Sequence, residues 1–137
     1  MVSVIGNPAA ALAAALAVAG CGAPPADLFS VDRSGDDRNA NLRMVISDGG
    51  SVTCNGKQFP LDADRLLTAR QLHRDLIPQA ELHLELPPGP RATLTYRAAM
   101  EQGTVVFSDT SDALPESFLR LAAFTKDVAE RVCKIER

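Results

Sequence analysis

Hydrophobic and polar residues divide the chain into two parts of different character. The first 20 residues carry no charged side chain, and residues 8–20 form a run of 13 apolar or small residues that ends immediately before Cys21. This length is typical of the hydrophobic region of a signal peptide and is shorter than the roughly 20 residues that cross a bilayer as a helix. The pattern therefore predicts a targeting segment over residues 1–20.

Beyond this leader, apolar residues alternate with polar ones, which is typical of half-buried β-strands. Residues 28–33, 42–47 and 51–54 predict three antiparallel strands, and the alternation is clearest in LRMVIS at 42–47. The sequence Asp48-Gly49-Gly50 supplies a turn between the second and third strands, because glycine readily adopts the positive φ that tight hairpins need.

Two further segments show helical spacing. The first, residues 63–77, has Asp62 as its predicted N-cap and Pro78 as its predicted stop. Its apolar flank consists of Leu66, Ala69, His73, Leu76 and Ile77. The second helix starts at Pro115, a favourable first helical residue. Its apolar stripe consists of Phe118, Leu121, Ala122, Thr125, Val128, Ala129 and Val132.

Between the helices, residues 79–91 end in LPPGPR and predict an irregular connector on the surface. Residues 92–98 and 103–109 then predict a second hairpin. The resulting order, βββαββα, predicts an α+β fold in which an antiparallel sheet carries two helices packed on one face. Residues 28–137 provide enough chain for one small domain.

The first cysteine lies in a recognisable context. Residues 18–21, VAGC, resemble the bacterial lipobox, whose cysteine takes up diacylglycerol and becomes the first residue after cleavage. The resemblance implies lipidation of Cys21, with residues 21–27 forming the lipidated cysteine and a stiff spacer. The alternative interpretation is an uncleaved, alanine-rich helix in a cytosolic protein.

The chain has three cysteines, and lipidation of Cys21 leaves Cys54 and Cys133. These two can pair in the oxidising space outside the membrane, where disulfides persist. Such a bridge would close a loop of about 80 residues, which the chain-entropy model values at about 4.5 kcal/mol. The competing interpretation is a metal site that joins the thiols to His73 and His83. Because no short ligand spacing is present, we predict no metal and no cofactor.

Composition argues against a nucleic-acid partner. The net charge is −3, and the chain contains one tyrosine and no tryptophan. It therefore lacks the basic surface and the stacking aromatic residues that proteins binding nucleic acids use.

Motifs for catalysis are missing from the sequence: it contains no HExxH, GxSxG, SxxK or CxxC and no phosphate-binding glycine loop. His73 is predicted to be a partly buried helix residue, and His83 to face solvent or a neighbouring strand. The acidic residues Asp32, Asp36 and Asp37 lack the ligand order of a calcium loop. We therefore expect no enzymatic activity.

A hydroxyl-rich string, Ser108-Asp109-Thr110-Ser111-Asp112, lies between the last strand and the last helix. Serine, threonine and aspartate at such a position cap backbone donors and form turns. The string therefore predicts a structural turn. The alternative interpretation is that Ser108, Asp109 or His73 serves a small hydrolase.

Four short sequences resemble a family of small actinobacterial lipoproteins in which a lipobox precedes the folded domain. They are DGG at 48–50, CNG at 54–56, LPPGP at 86–90 and FSDTS at 107–111. More distantly, FSVDRSG at 29–35, the strand at 103–109 and the helix that starts at Pro115 are similar to emfourin-like inhibitors of thermolysin-type metalloproteases. The second resemblance implies a peptidase partner, and no inhibitory residue is implied.

These features predict a lipoprotein anchored in the cell membrane through Cys21, which acts on the extracytoplasmic side as a non-catalytic binding module. An extracytoplasmic peptidase is one expected partner. The loop at 78–91 is the best candidate for the partner surface, because loops on a rigid scaffold commonly carry binding. The alternatives are a small envelope hydrolase and a structural cell-envelope protein.

Overall fold

The structure, a computed structural model, describes residues 26–137 together with Ser3. The predicted targeting segment and Cys21 lie outside the described residues. Within 26–137 the strands are β1 (Asp27–Gly35), β2 (Leu42–Ser47), β3 (Ser51–Cys54), β4 (Lys57–Pro60), β5 (Leu94–Met100) and β6 (Gly103–Ser108). The helices are α1 (Ala63–Glu81) and α2 (Glu116–Asp127), and α2 continues into a π-helical turn at Val128–Val132.

The strands form a six-stranded sheet in the order β4-β3-β2-β1-β5-β6, with antiparallel neighbours throughout. The predicted α+β class is thus confirmed. Strand β4 was not among the predicted strands. It is joined to β3 by Asn55 and Gly56, whose φ values of 49° and 85° are the two consecutive positive angles of a tight hairpin turn.

One face of the sheet forms the core. Val31 pairs with Met44 on one side and with Ala98 on the other, and Met44 pairs with Cys54. Directly paired residues point to the same face, and all four are buried. The opposite face carries alternating residues such as Arg43 and is exposed to solvent.

Aromatic residues fasten α2 to this core face. The ring of Phe107 in β6 lies between Tyr96 and Phe118, with ring centroids 5.0 Å and 4.7 Å apart. Phe29 in β1 meets Phe124 in an edge-to-face contact at 6.3 Å. Pairs of this geometry add to the free energy gained by burying the rings. The predicted packing of the last helix on the sheet is therefore confirmed.

The two helices cross the strands in opposite directions. Near its start, α1 places Arg65 against Asp127 at the end of α2, with Nε and Oδ2 2.7 Å apart. Further along α1, Asp75 pairs with Arg120 near the start of α2, also at 2.7 Å. Partners that advance along one helix while they recede along the other define an antiparallel pair.

The prediction that Pro78 ends the first helix is wrong, because α1 continues to Glu81 with Pro78 inside it. Proline removes one helix hydrogen bond, here to the carbonyl of Arg74. Both residues are exposed, so water can satisfy that carbonyl. The last turn is retained because Ala80 is fully buried against the core.

The predicted disulfide between Cys54 and Cys133 is present, with a Cα–Cα distance of 6.3 Å. The π-helical turn brings Cys133 into place, and its amide donates to the carbonyl of Val128 at 3.0 Å. The bond ties the end of the last helix to β3, and both cysteines are buried. Within the described residues no helix is both long and apolar enough to cross a bilayer.

Candidate functional site

Two sequence motifs that lie far apart in the chain contact each other in the structure. We call residues 87–91, PPGPR, the proline loop, and residues 108–112, SDTSD, the serine turn. The Ser111 hydroxyl donates to the carbonyl of Pro87 at 2.8 Å. Gly89 lies so close to the carbonyl of Thr110 that any Cβ at this position would overlap with it. The serine turn therefore packs against the proline loop and is hydrogen-bonded to it.

The chain that leads into the proline loop is attached to the edge of the sheet. Leu86 donates its amide to the carbonyl of Val106 at 2.9 Å, and Val106 donates to the carbonyl of Leu84 at 3.0 Å. The leucine side chains are half-buried and pack against the core. The connector therefore pairs with β6 in parallel through a single bridge between Glu85 and Val106, which fixes one end of the proline loop.

The other end of the loop is fixed by the carboxylate of Asp109. It accepts hydrogen bonds from the Thr93 amide at 3.1 Å, the Leu94 amide at 3.2 Å and the Thr93 hydroxyl. Partial burial alone would raise the pKa of Asp109, but these hydrogen bonds outweigh it and lower the pKa below its ordinary value. Asp109 is therefore ionised at neutral pH and acts as an acceptor for the start of β5.

The two serines of the turn are also committed to structural hydrogen bonds. The Ser111 hydroxyl accepts from the Ser108 amide at 3.0 Å while it donates to Pro87. The Ser108 hydroxyl accepts from the Thr110 amide at 3.3 Å. Both serines are buried, and within residues 26–137 neither is hydrogen-bonded to a histidine. The arrangement can order a loop, in agreement with the predicted turn.

The surface that this support presents consists of proline rings and one cation. Pro87, Pro88, Pro90 and Arg91 are exposed, whereas Gly89 is half-buried against the turn. Proline restricts its own φ to about −65° and holds the preceding residue in an extended conformation. Arg91 then reverses direction with a φ of 57°. The loop is consequently a short apolar surface that ends in a turn at Pro90 and Arg91, with a guanidinium at that end.

The other residues singled out from the sequence do not converge on one site. His73 is half-buried on α1, and His83 is exposed in the connector beside Gly103. Asp32 pairs with Arg43 in β2 through two contacts of 2.9 Å, whereas Asp37 pairs with Arg137 at 3.1 Å. Among the described residues no group of three or more histidines, cysteines or carboxylates is placed to hold a metal ion.

A groove of about 500 Å³ lies between α1 and α2. It is lined by Asp62, Asp64, Arg65, Thr68, Arg120, Ala123, Phe124 and Asp127. Arg65 donates hydrogen bonds to Asp127 and Asp62, which raise its pKa, and Arg120 is paired with Asp75. Because both arginines are already paired with carboxylates, the groove offers no free cation to a ligand.

Sequence reasoning missed the contacts that create the candidate site. It placed the proline-rich segment and the SDTSD string separately, and it did not identify Thr93 as the partner of Asp109. The available signal was the serine-rich string itself, whose side chains must bond to some backbone group. Comparison of the chain with family models, curated proteins and solved structures found no match.

Proposed function

We propose that this protein is a lipid-anchored, extracytoplasmic binding module without catalytic activity, which presents the proline loop to a partner. The observation that supports this most directly is the use made of the serine turn. Its hydroxyls and the Asp109 carboxylate, the groups best suited to hydrolysis, are bonded to the backbone that holds the loop in place. A surface peptidase is one partner that fits, because proteases bind extended loops held on a rigid scaffold.

The position of the loop also favours presentation away from a membrane. Cys21 lies six residues before Asp27, so the spacer reaches at most about 20 Å. β1 begins at Asp27 beside Ser47 and ends at Gly35 beside Leu94. Its nine residues cover about 27 Å at roughly 3.3 Å per residue. The proline loop, attached through Thr93 and Asp109, lies near the end of the sheet where β1 stops at Gly35, opposite the end where β1 begins at Asp27.

Fractionation of cells that naturally produce the full chain tests the anchor. We expect the wild-type protein to sediment with membranes and to be released only by detergent, because two acyl chains anchor a protein durably. Cys21→Ser removes the thiol that would carry the lipid and should leave the protein in the soluble fraction. The matched control Ala23→Ser, which retains Cys21, should still sediment. Full membrane retention of Cys21→Ser would contradict the proposed anchor.

A further inference from the structure

We propose that the proline loop is a ligand for an aromatic-lined groove that bears a carboxylate at one end, on a partner protein outside the membrane. This inference rests on the proposed function, because it names the partner of the same surface.

The first step concerns the shape of the loop. Three of its five residues are proline, and Leu86, Pro87 and Gly89 each precede a proline. Both effects favour the polyproline II conformation, which has three residues per turn. A PxxP segment in that conformation carries its two prolines along one edge, about 9 Å apart. Pro87 and Pro90 have this spacing in the sequence, and a turn begins at Pro90. Aromatic grooves that recognise PxxP segments read this spacing of exposed rings.

The second step concerns charge. Arg91 is exposed and follows Pro90 directly, and it forms no ion pair with any residue from 26 to 137. Six other arginines in that part of the chain each pair with an aspartate, namely Arg43, Arg65, Arg70, Arg120, Arg131 and Arg137. A free guanidinium beside an apolar strip selects a partner with a carboxylate at the corresponding position, since complementary charge fixes the direction of binding.

The third step concerns order. A linear segment that becomes ordered on binding loses affinity, whereas one that is already held in its bound shape avoids this cost. The proline loop contacts Ser111 at Pro87 and Thr110 at Gly89, and the chain that follows the loop is held at Thr93 by Asp109. Binding should therefore depend on Ser111 and Asp109, although neither belongs to the exposed strip. If the loop only connected α1 to β5, loss of these supports would have no effect on partner binding.

Other surfaces carry weaker indications of a partner. The exposed face of the sheet alternates charged residues with serine and threonine, and its Arg43 is already paired with Asp32. The groove between the helices has its arginines neutralised. The proline loop combines three exposed proline rings, an unpaired cation and contacts that hold it to the serine turn.

Site-specific photocrosslinking in the native cells tests the proposal. The photoreactive residue p-benzoylphenylalanine is placed at Ala92, which is exposed and flanks the loop, and at Gln58, an exposed control position in β4. We expect illumination to produce a protein adduct from position 92 and not from position 58. Sequencing of the crosslinked partner peptide should show aromatic residues together with an aspartate or glutamate.

Variants in the crosslinking background separate recognition from chance proximity. Pro87→Ala combined with Pro90→Ala, and separately Arg91→Glu, should lower the adduct yield about tenfold, while Ser111→Ala should lower it about threefold. Adducts that are insensitive to all three changes, adducts with lipid, or no yield above position 58 would each overturn the inference. If Cys21→Ser is soluble but position 92 gives no adduct, the anchor stands and this inference fails. If Cys21→Ser stays in the membrane fraction and the adduct persists, the proposed anchor fails and this inference stands.

Discussion

The two edges of the sheet are joined to the rest of the domain by different kinds of bond. On the β3–β4 side, a buried covalent bond between Cys54 and Cys133 joins a strand to the end of the last helix. On the β6 side, Ser111 donates a hydrogen bond to the carbonyl of Pro87, and Asp109 accepts hydrogen bonds from the amides of Thr93 and Leu94. Both the disulfide and the serine turn therefore stabilise the structure, but over different distances: the disulfide constrains the whole domain, whereas the serine turn constrains one loop.

The two edge strands of the sheet, β4 and β6, also differ in how they are covered. The β6 edge is covered by the connector through Leu84 and Leu86. The β4 edge is uncovered within the described residues, but the strand has four residues, includes Pro60 and exposes Lys57. Short length, proline and lysine all discourage the addition of a foreign strand. The β4 side is therefore protected and stabilised, whereas the β6 side is arranged to present a loop.

The largest effect on stability should come from removing the disulfide between Cys54 and Cys133. Replacing both Cys54 and Cys133 with alanine opens a crosslink that spans a sequence separation of 79 residues. The chain-entropy model then predicts a loss of about 4.5 kcal/mol in the free energy of unfolding. Urea unfolding monitored by circular dichroism measures this loss.

Reduced wild-type protein is the matched control, because it loses the same crosslink while it keeps both sulfur atoms in the core. Both proteins should lose stability by similar amounts, and the loss should extend to the β6 side because the domain has one core. A loss below about 1 kcal/mol in both would contradict a global role for the disulfide.

The sequence predicted those parts of the fold that follow from local periodicity. The alternation in β2 and the stripe through Phe118 and Leu121 each reflect contact with one core face, and both residues are fully buried. The end of α1 was predicted wrongly because a proline signal was weighed without knowing that Pro78 would face solvent. Strand β4 was missed although Asn55-Gly56 is a strong hairpin signal, because KQFP carries only one large apolar residue.

The candidate site was less predictable for a different physical reason. The bond from Ser111 to Pro87 joins residues 24 positions apart, and neither residue has a periodicity that indicates the other. A hydroxyl-rich turn indicates that backbone groups will be bound, and tertiary packing decides which ones. The π-helical turn that carries Cys133 to β3 has no sequence signal that we can identify.

An intermediate effect on stability should come from adding a side chain at Gly89, where the proline loop contacts the serine turn. In Gly89→Ala the added Cβ would overlap the Thr110 carbonyl, so the proline loop must move off the serine turn. Overpacking of this kind costs about 1–3 kcal/mol. Limited digestion with trypsin should show faster cleavage after Arg91, with unfolding free energy lowered within that range.

Glycine 56 offers a control on the β4 side. A Cβ there meets no atom within 4 Å, so Gly56→Ala introduces only the strain of a φ of 85°. It should lower stability by about 1 kcal/mol without altering cleavage after Arg91. Unchanged cleavage in Gly89→Ala would show that the loop does not depend on the turn.

The smallest effect should come from removing one charge on the β6 side. Asp109→Asn weakens three hydrogen bonds to Thr93 and Leu94, and because Asp109 is exposed we expect a loss of about 1 kcal/mol at pH 7. The pKa of Asp109 is lowered in the folded protein, so its contribution is present above the unfolded pKa of about 4. It is lost as pH falls through the lower folded pKa, and the stability curves of wild type and variant should therefore converge in acid.

Asp62 and Asp75 also have lowered pKa values, through hydrogen bonds with Arg65 and Arg120, and both residues remain in the variant. Their acid sensitivity is common to the two proteins and cancels in the difference curve. Asp112→Asn is the matched control, since this exposed carboxylate lies in the same turn and forms no hydrogen bond within residues 26–137. Amide exchange at Thr93 and Leu94 should accelerate in Asp109→Asn alone. A difference curve that stays flat from pH 7 to 3 would mean that the carboxylate does not hold the loop.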